Sequence, residues 1–226
     1  SDLWKDAQNM INTIIDHKLT KPKATFGFWP ANSDGDDVII FENEDRKKIL
    51  KKFHFLRQQV SRRNSERPNL CLSDFIAPVG VQEDYIGGFL VTAGIGIEKL
   101  SSDYEKNNDD YNSILVKSIG DRIAEAFAEK LHKEVRVNFW GYSADENFTN
   151  DELISEKFLG IRPAPGYPAC PDHTEKHTLF ELLKVRKTLG VHLTENFAMT
   201  PASSVAGLYF SNPSSSYFGV GKIYED

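Results

Sequence analysis

The sequence is poor in the features that most often announce a function. It holds two cysteines in 226 residues, Cys71 and Cys170, far apart in the chain. That excludes the paired spacing of a zinc ribbon and does not indicate the disulfide framework of a small secreted scaffold. No apolar run approaches the ~20 residues that a membrane span requires, and no secretory leader pattern opens the chain. Basic charge is in deficit: 27 Lys and Arg face 33 Asp and Glu, for a formal net charge of −6. Phosphate binding needs a basic face, so a general nucleic-acid role is disfavoured. Catalytic signatures are missing as well. There is no GxSxG, HExxH or Walker loop, and no Asp-x-His-x-x-Gly of the kind that ligates a corrinoid. Among six histidines, His173 and His177 are spaced i, i+4 but lack further ligands at metal spacing. The expectation is a soluble cytoplasmic protein with no nucleic-acid partner, no membrane partner and no metal ligands of its own.

What is present argues for a folded chain. Hydrophobic residues make up 40% and aromatics 12% of the composition, too much for a disordered segment. No internal repeat or low-complexity linker divides it, so a single domain over 1–226 is expected. Helical and strand patterns alternate irregularly, which favours α+β over a regularly wound sheet. Leu3 to Lys18 has helical spacing. Ala24–Pro30 and Val38–Phe41 read as strands joined by turn residues 32–37, a hairpin. Tyr85–Thr92 reads as a third strand, and Gly94-Ile-Gly96 after it as a turn or bulge. The longest helix is expected from about Asp103 to Arg136, with Asp121, Glu125 and Glu129 in line at i, i+4. Trp140-Gly-Tyr142 behind it reads as core. Capping boxes at Thr149-x-x-Glu152 and Thr178-x-x-Glu181 mark two later helices, and Val205–Phe210 with Tyr217–Tyr224 a final hairpin.

Asp45 to Val60 reads as a helix, with Ile49, Phe53, Leu56 and Val60 on one stripe. Its other face carries Arg46, Lys47, Lys48, Lys51, Lys52 and Arg57, followed by Arg62 and Arg63. Such a run is either a solvated face or a docking site for an acidic protein.

One segment stands apart. Arg162-Pro-Ala-Pro-Gly-Tyr-Pro-Ala-Cys-Pro171 holds four of the ten prolines. Each removes a backbone donor and fixes φ, so neither helix nor central strand is possible. A rigid extended loop results, and rigidity lowers the entropy lost when a small molecule binds. Arg162 offers a planar fork for a carboxylate or phosphate, Tyr167 an aromatic face with a hydroxyl, and the bared carbonyls acceptors for an amine or a field for a sulfonium. A plain rigid connector with Arg162 paired to Glu156 fits the same residues.

The run Arg162–Lys176 closely resembles the activation domain of cobalamin-dependent methionine synthase. Similar residues occur in the same order along essentially the whole chain: Trp29-Pro-Ala-Asn32, Asp109-Asp-Tyr-Asn112, Ala124–Glu129, Trp140-Gly-Tyr142, Leu193–Met199 and Tyr209-Phe-Ser211. The resemblance implies a single C-shaped domain, a bent and mainly antiparallel sheet flanked by helices. It implies binding of S-adenosylmethionine and supply of its methyl group when the enzyme, a methyltransferase of methionine biosynthesis, is reactivated from cob(II)alamin. Cobalamin would be carried by a neighbouring module, and one electron would come from a flavodoxin-like or flavoprotein reductase, for which the basic segment 45–60 is the candidate dock. By the same resemblance Arg162 holds the ligand's carboxylate, Ala164 contacts its adenosine part through the backbone, and Gly166 and Tyr167 line the face toward the corrin. Glu125 and Glu156 lie near its amino group, and Tyr217 and Phe218 flank the site. No catalytic acid or base is implied, since methyl transfer from a sulfonium to cobalt needs alignment rather than a proton shuttle. Relatives carry an Asp-Trp-Thr-Pro-Phe-Phe segment that does not occur here. The expectation is therefore a fragment of a longer enzyme with weakened ligand affinity. A module that senses S-adenosylmethionine without methylating remains the alternative.

Overall fold

The computed structural model describes residues 2–60 and 68–223. Helix α1 (Asp2–Asp16) is followed by strands β1 (Lys23–Asp34) and β2 (Asp37–Phe41). These pair antiparallel, with Asp34 opposite Asp37 and Gly35 in the turn at φ 63°, the left-handed conformation that glycine tolerates best. Strand β3 (Ile49–His54) and β4 (Asp84–Thr92) follow, then α2 (Ile97–Lys106) and α3 (Asp110–Glu134). One π-helical turn, Val135–Phe139, extends α3. Short helices α4 (Asn150–Ile154), α5 (Glu175–Leu182) and α6 (Val185–Thr188) precede the two-residue strands β5 (His192–Leu193) and β6 (Met199–Thr200), and β7 (Ser204–Tyr209) closes the series. The main sheet has the order β3-β2-β1-β4-β7, and β5 pairs with β6. Helices combined with a mainly antiparallel sheet make this an α+β fold. No helix among the described residues is long and apolar enough to cross a membrane.

The chain forms two compact units. The first comprises residues 1–25, 90–133 and 184–205, and the second residues 26–89, 134–183 and 206–226. In the first, Met10 and Ile14 of α1 meet Ile97 and the Leu115, Val116 and Ile119 stripe of α3. The second is built on aromatics. Phe89 stacks on Tyr209 at 4.7 Å, and Phe210 lies against Phe55 and Phe75 at 6.2 and 6.4 Å.

Four expectations need correction. The basic segment 45–60 is not a helix. Its centre is β3, where Phe53 pairs with Val38 and Lys52 with Ile39. The outer edge of β2 needs a partner for its backbone groups, and pairing supplies one. The supposed helical stripe fails on burial: Ile49, Leu56 and Val60 are 55%, 39% and 39% exposed, whereas Phe53 and Phe55, two apart, are buried. The basic side chains are largely engaged too. Lys48 pairs with Glu42, Lys51 with Glu181, Lys52 with Asp37, and Arg57 with Asp36 and Asp74. Arg46 turns inward, donating to Asn32 Oδ1 (2.9 Å) and Asp84 O (2.9 Å). Arg62 and Arg63 lie outside the described residues.

The long helix is divided. Asn108 at φ 57° breaks it, and Asp109 accepts from the Asn112 N–H at 3.1 Å to restart it as α3. The Thr178 capping box lies inside α5, which begins one turn earlier after Thr174. The last hairpin does not form, because residues 217–223 make no strand with β7. Val220 instead donates to Pro168 O (2.9 Å) and accepts from the Gln59 N–H (2.6 Å). The Thr149 box does cap α4, with Glu152 Oε2 accepting from the Thr149 N–H at 3.0 Å.

Arg57 holds both oxygens of Asp74 at 2.8 Å. Burial alone would raise the Asp74 carboxyl, yet the Arg57 bonds and the Cys71 N–H outweigh it and hold it below the usual range. A depressed folded-state pKa contributes stability that is present above the unfolded value of roughly 3.9 and lost as pH falls through the folded one. Asp74→Asn is therefore expected to lower the urea midpoint at pH 7 and to change it little once the wild-type carboxyl is protonated. A deficit that stays constant down to the acid limit would contradict this.

Candidate functional site

The proline-rich loop lies in the second unit between α4 and α5, and backbone bonds hold it throughout. Ile161 and Phe210 exchange N–H···O bonds of 3.0 Å, and Leu208 of β7 donates to Pro163 O at 2.9 Å. Within the loop, Tyr167 donates to Ala164 O (3.1 Å), Gly166 to Cys170 O (2.7 Å) and Cys170 to Tyr167 O (2.9 Å). Gly166 sits at φ 96°, and a Cβ there would stand 2.3 Å from the His173 ring, so no other residue fits without displacing it. His173 Nδ1 meets Lys176 Nζ at 3.1 Å. Tyr167 is left 66% exposed at the tip.

The residues gathered around Arg162 come from several turns of this unit. The Arg162 N–H donates to the Tyr217 hydroxyl at 3.0 Å, tying the start of the loop to the C-terminal segment. The Arg162 guanidinium lies over the Phe158 ring, 5.9 Å from its centroid. Gly160, between Phe158 and Arg162, permits a close approach to Phe210 and Tyr142. At φ 81°, its Cβ would stand 2.5 Å from Phe210 O and 2.7 Å from the Tyr142 hydroxyl. Burial pushes the Tyr142 phenol well above its usual range, so it remains a neutral donor. Phe218 packs on Phe75, with ring centroids 6.4 Å apart.

Arg162, Ala164, Gly166, Tyr167, Tyr217 and Phe218 thus belong to one unit, held by the loop and the segment that follows β7. Glu156 is in the same unit, exposed, just past α4 with φ 50°. Glu125 belongs to the first unit, on an exposed face of α3, where it pairs with Arg122 at 2.8 Å. Asp121 of the same line accepts from the Ser203 hydroxyl at 2.8 Å.

Cys170 is buried in the loop, and burial pushes its thiol up to about 12. A thiol held protonated at neutral pH is no nucleophile. Among the described residues, no group of three or more His, Cys, Asp or Glu side chains gathers as metal ligands. Besides the His173–Lys176 contact, what converges at the loop is a cation, hydroxyls, aromatic faces and backbone groups.

A sequence profile described as "Vitamin B12 dependent methionine synthase, activation domain" matches residues 1–226. The chain belongs to this family. The activation-domain assignment agrees with a solved structure described as "Crystal Structure of the MetH Reactivation Domain bound to AdoHcy". It is 49% identical, with a TM-score of 0.95, over 98% of this chain and 68% of that one. In this member of the activation-domain family, three residues beside the loop escaped the sequence reading: Arg136, Tyr142 and Phe158. Arg136 had the look of a helix end and Tyr142 of plain core. The residues offered only an acid, Glu146, ten positions after Arg136, which by itself does not mark a buried pair.

Replacing Gly160 by alanine would force a side chain into left-handed backbone and against Phe210 O. Gly160→Ala is expected to destabilise by at least ~1–2 kcal/mol, read as a lowered denaturation midpoint; an unchanged midpoint would show the approach to be relaxed.

Proposed function

We propose that this chain binds S-adenosylmethionine through the loop 162–171 and supplies its methyl group for reductive reactivation of cobalamin-dependent methionine synthase. The observation that carries the reading is the bound AdoHcy of the 49% identical reactivation domain. AdoHcy is what S-adenosylmethionine becomes once its methyl has left.

The local chemistry fits such a ligand. The Arg162 fork suits its carboxylate. Ala164 stands between two prolines, which have no N–H, and its own N–H meets no acceptor among the described residues. It is a donor the loop can offer to an adenosine, while Gly166 and Tyr167 face the methyl acceptor. Tyr217 and Phe218 close one side, and Glu156, just past α4 in the same unit, is the carboxylate assigned to the amino group. In the transfer the S–CH3 bond breaks and sulfur keeps its electron pair; a reduced cobalamin carried by a neighbouring module would supply the electron pair for the new bond to the methyl group. The electron that reduces the cobalt comes from a flavodoxin-like or flavoprotein donor. Protein groups hold the sulfonium in line and supply a fixed field, which is where such a site gains rate. No proton moves in such a transfer.

Arg162→Ala is expected to weaken S-adenosylmethionine binding in calorimetry by about 10- to 100-fold, the worth of a charge-assisted contact, without lowering the unfolding midpoint comparably. Undiminished affinity would remove Arg162 from the site. Mixing the chain with a cobalamin-loaded module, a reductant and S-adenosylmethionine should give methylated cobalamin; its absence would leave a sensing role.

A further inference from the structure

Arg136 and Glu146 form an ion pair with both side chains fully buried, Nε to Oε2 at 2.6 Å and Nη2 to Oε1 at 2.8 Å. Burial of two charges is a weak source of stability, because the desolvation they suffer offsets much of their attraction. The pair therefore asks for another explanation, and its surroundings offer one. The Arg136 guanidinium lies 3.9 Å from the centroid of the Phe158 ring, and the same ring carries Arg162 at 5.9 Å. Phe158 is thus a shared surface between a locked guanidinium and the one assigned to the ligand carboxylate. Arg136 itself sits in the π turn Val135–Phe139, where the backbone departs from the α-helical path.

We infer that Arg136, locked by Glu146, is a positioning residue for Arg162: it fixes the Phe158 ring on which the Arg162 fork rests. This rests on the reading of Arg162 given above. The bidentate bond to Glu146 fixes the plane of the Arg136 guanidinium, and that plane fixes the ring through a close cation–π contact. The ring adds to the restraint on the Arg162 side chain and so lowers the rotor freedom lost on meeting a carboxylate. The device sharpens recognition of the carboxylate end and leaves the adenosine end untouched.

The test compares S-adenosylmethionine with decarboxylated S-adenosylmethionine, which keeps the sulfonium, amine and adenosine. Calorimetry on the whole chain gives the affinity ratio of the two for wild type, Phe158→Leu, and the paired change Arg136→Met with Glu146→Leu. The paired change leaves no lone buried charge, and Phe158→Leu keeps an apolar side chain of similar reach, so one folded variant suffices. The expected result is a roughly tenfold fall in S-adenosylmethionine affinity with little change for the decarboxylated ligand, and no further loss when the same changes are made in an Arg162→Ala background. A ratio that stays at the wild-type value, or equal losses for both ligands, overturns the inference. Failure of the wild type to bind either ligand is a different result. It overturns the binding reading itself.

Discussion

Four prolines strip the loop 162–171 of donors, so the rest of the second unit must hold it by its carbonyls. Leu208 of β7 donates to Pro163 O, and Val220 donates to Pro168 O. These bonds explain why the C-terminal residues fail to complete a hairpin. Their donors are needed by the loop, and a strand beside β7 would have taken them away. Through the same arrangement Tyr217 reaches the Arg162 N–H. The binding face is an outcome of how a donor-poor segment is satisfied.

A second level of order lies beneath the loop. Gly160 lets Phe210 O and the Tyr142 hydroxyl approach to distances that a Cβ would forbid. Phe158, two residues earlier, rests on a guanidinium that Glu146 keeps from turning. Each of these contacts restricts something that a ligand would otherwise have to order for itself.

Much of this was legible in the residues. The proline spacing marked a rigid loop, and the β1–β2 hairpin followed from its turn chemistry. The family motifs pointed to the family. Segment 45–60 was misleading for a physical reason: apolar residues at 49, 53, 56 and 60 satisfy a helical period, while Phe53 and Phe55 satisfy that of a strand. Only the unpaired edge of β2, a tertiary fact, decides between them. The break at Asn108 carried a signal, since asparagine tolerates the left-handed conformation that ends a helix, but it was masked because the stripes on either side of it continue in phase. Arg136 was illegible because an arginine in an apolar run is read as a terminus unless its acid is known to fold over it.

Proline in this loop is usually credited with stiffness, but the bonding pattern assigns it a second task. Pro163 and Pro165 are both buried, and the carbonyls of Pro163, Ala164, Pro168 and Cys170 are already engaged. Any other residue at 163 or 165 would bring a buried N–H in need of an acceptor, at a cost of about 1–3 kcal/mol if none is found. At these positions the ring is valuable for the hydrogen it does not carry.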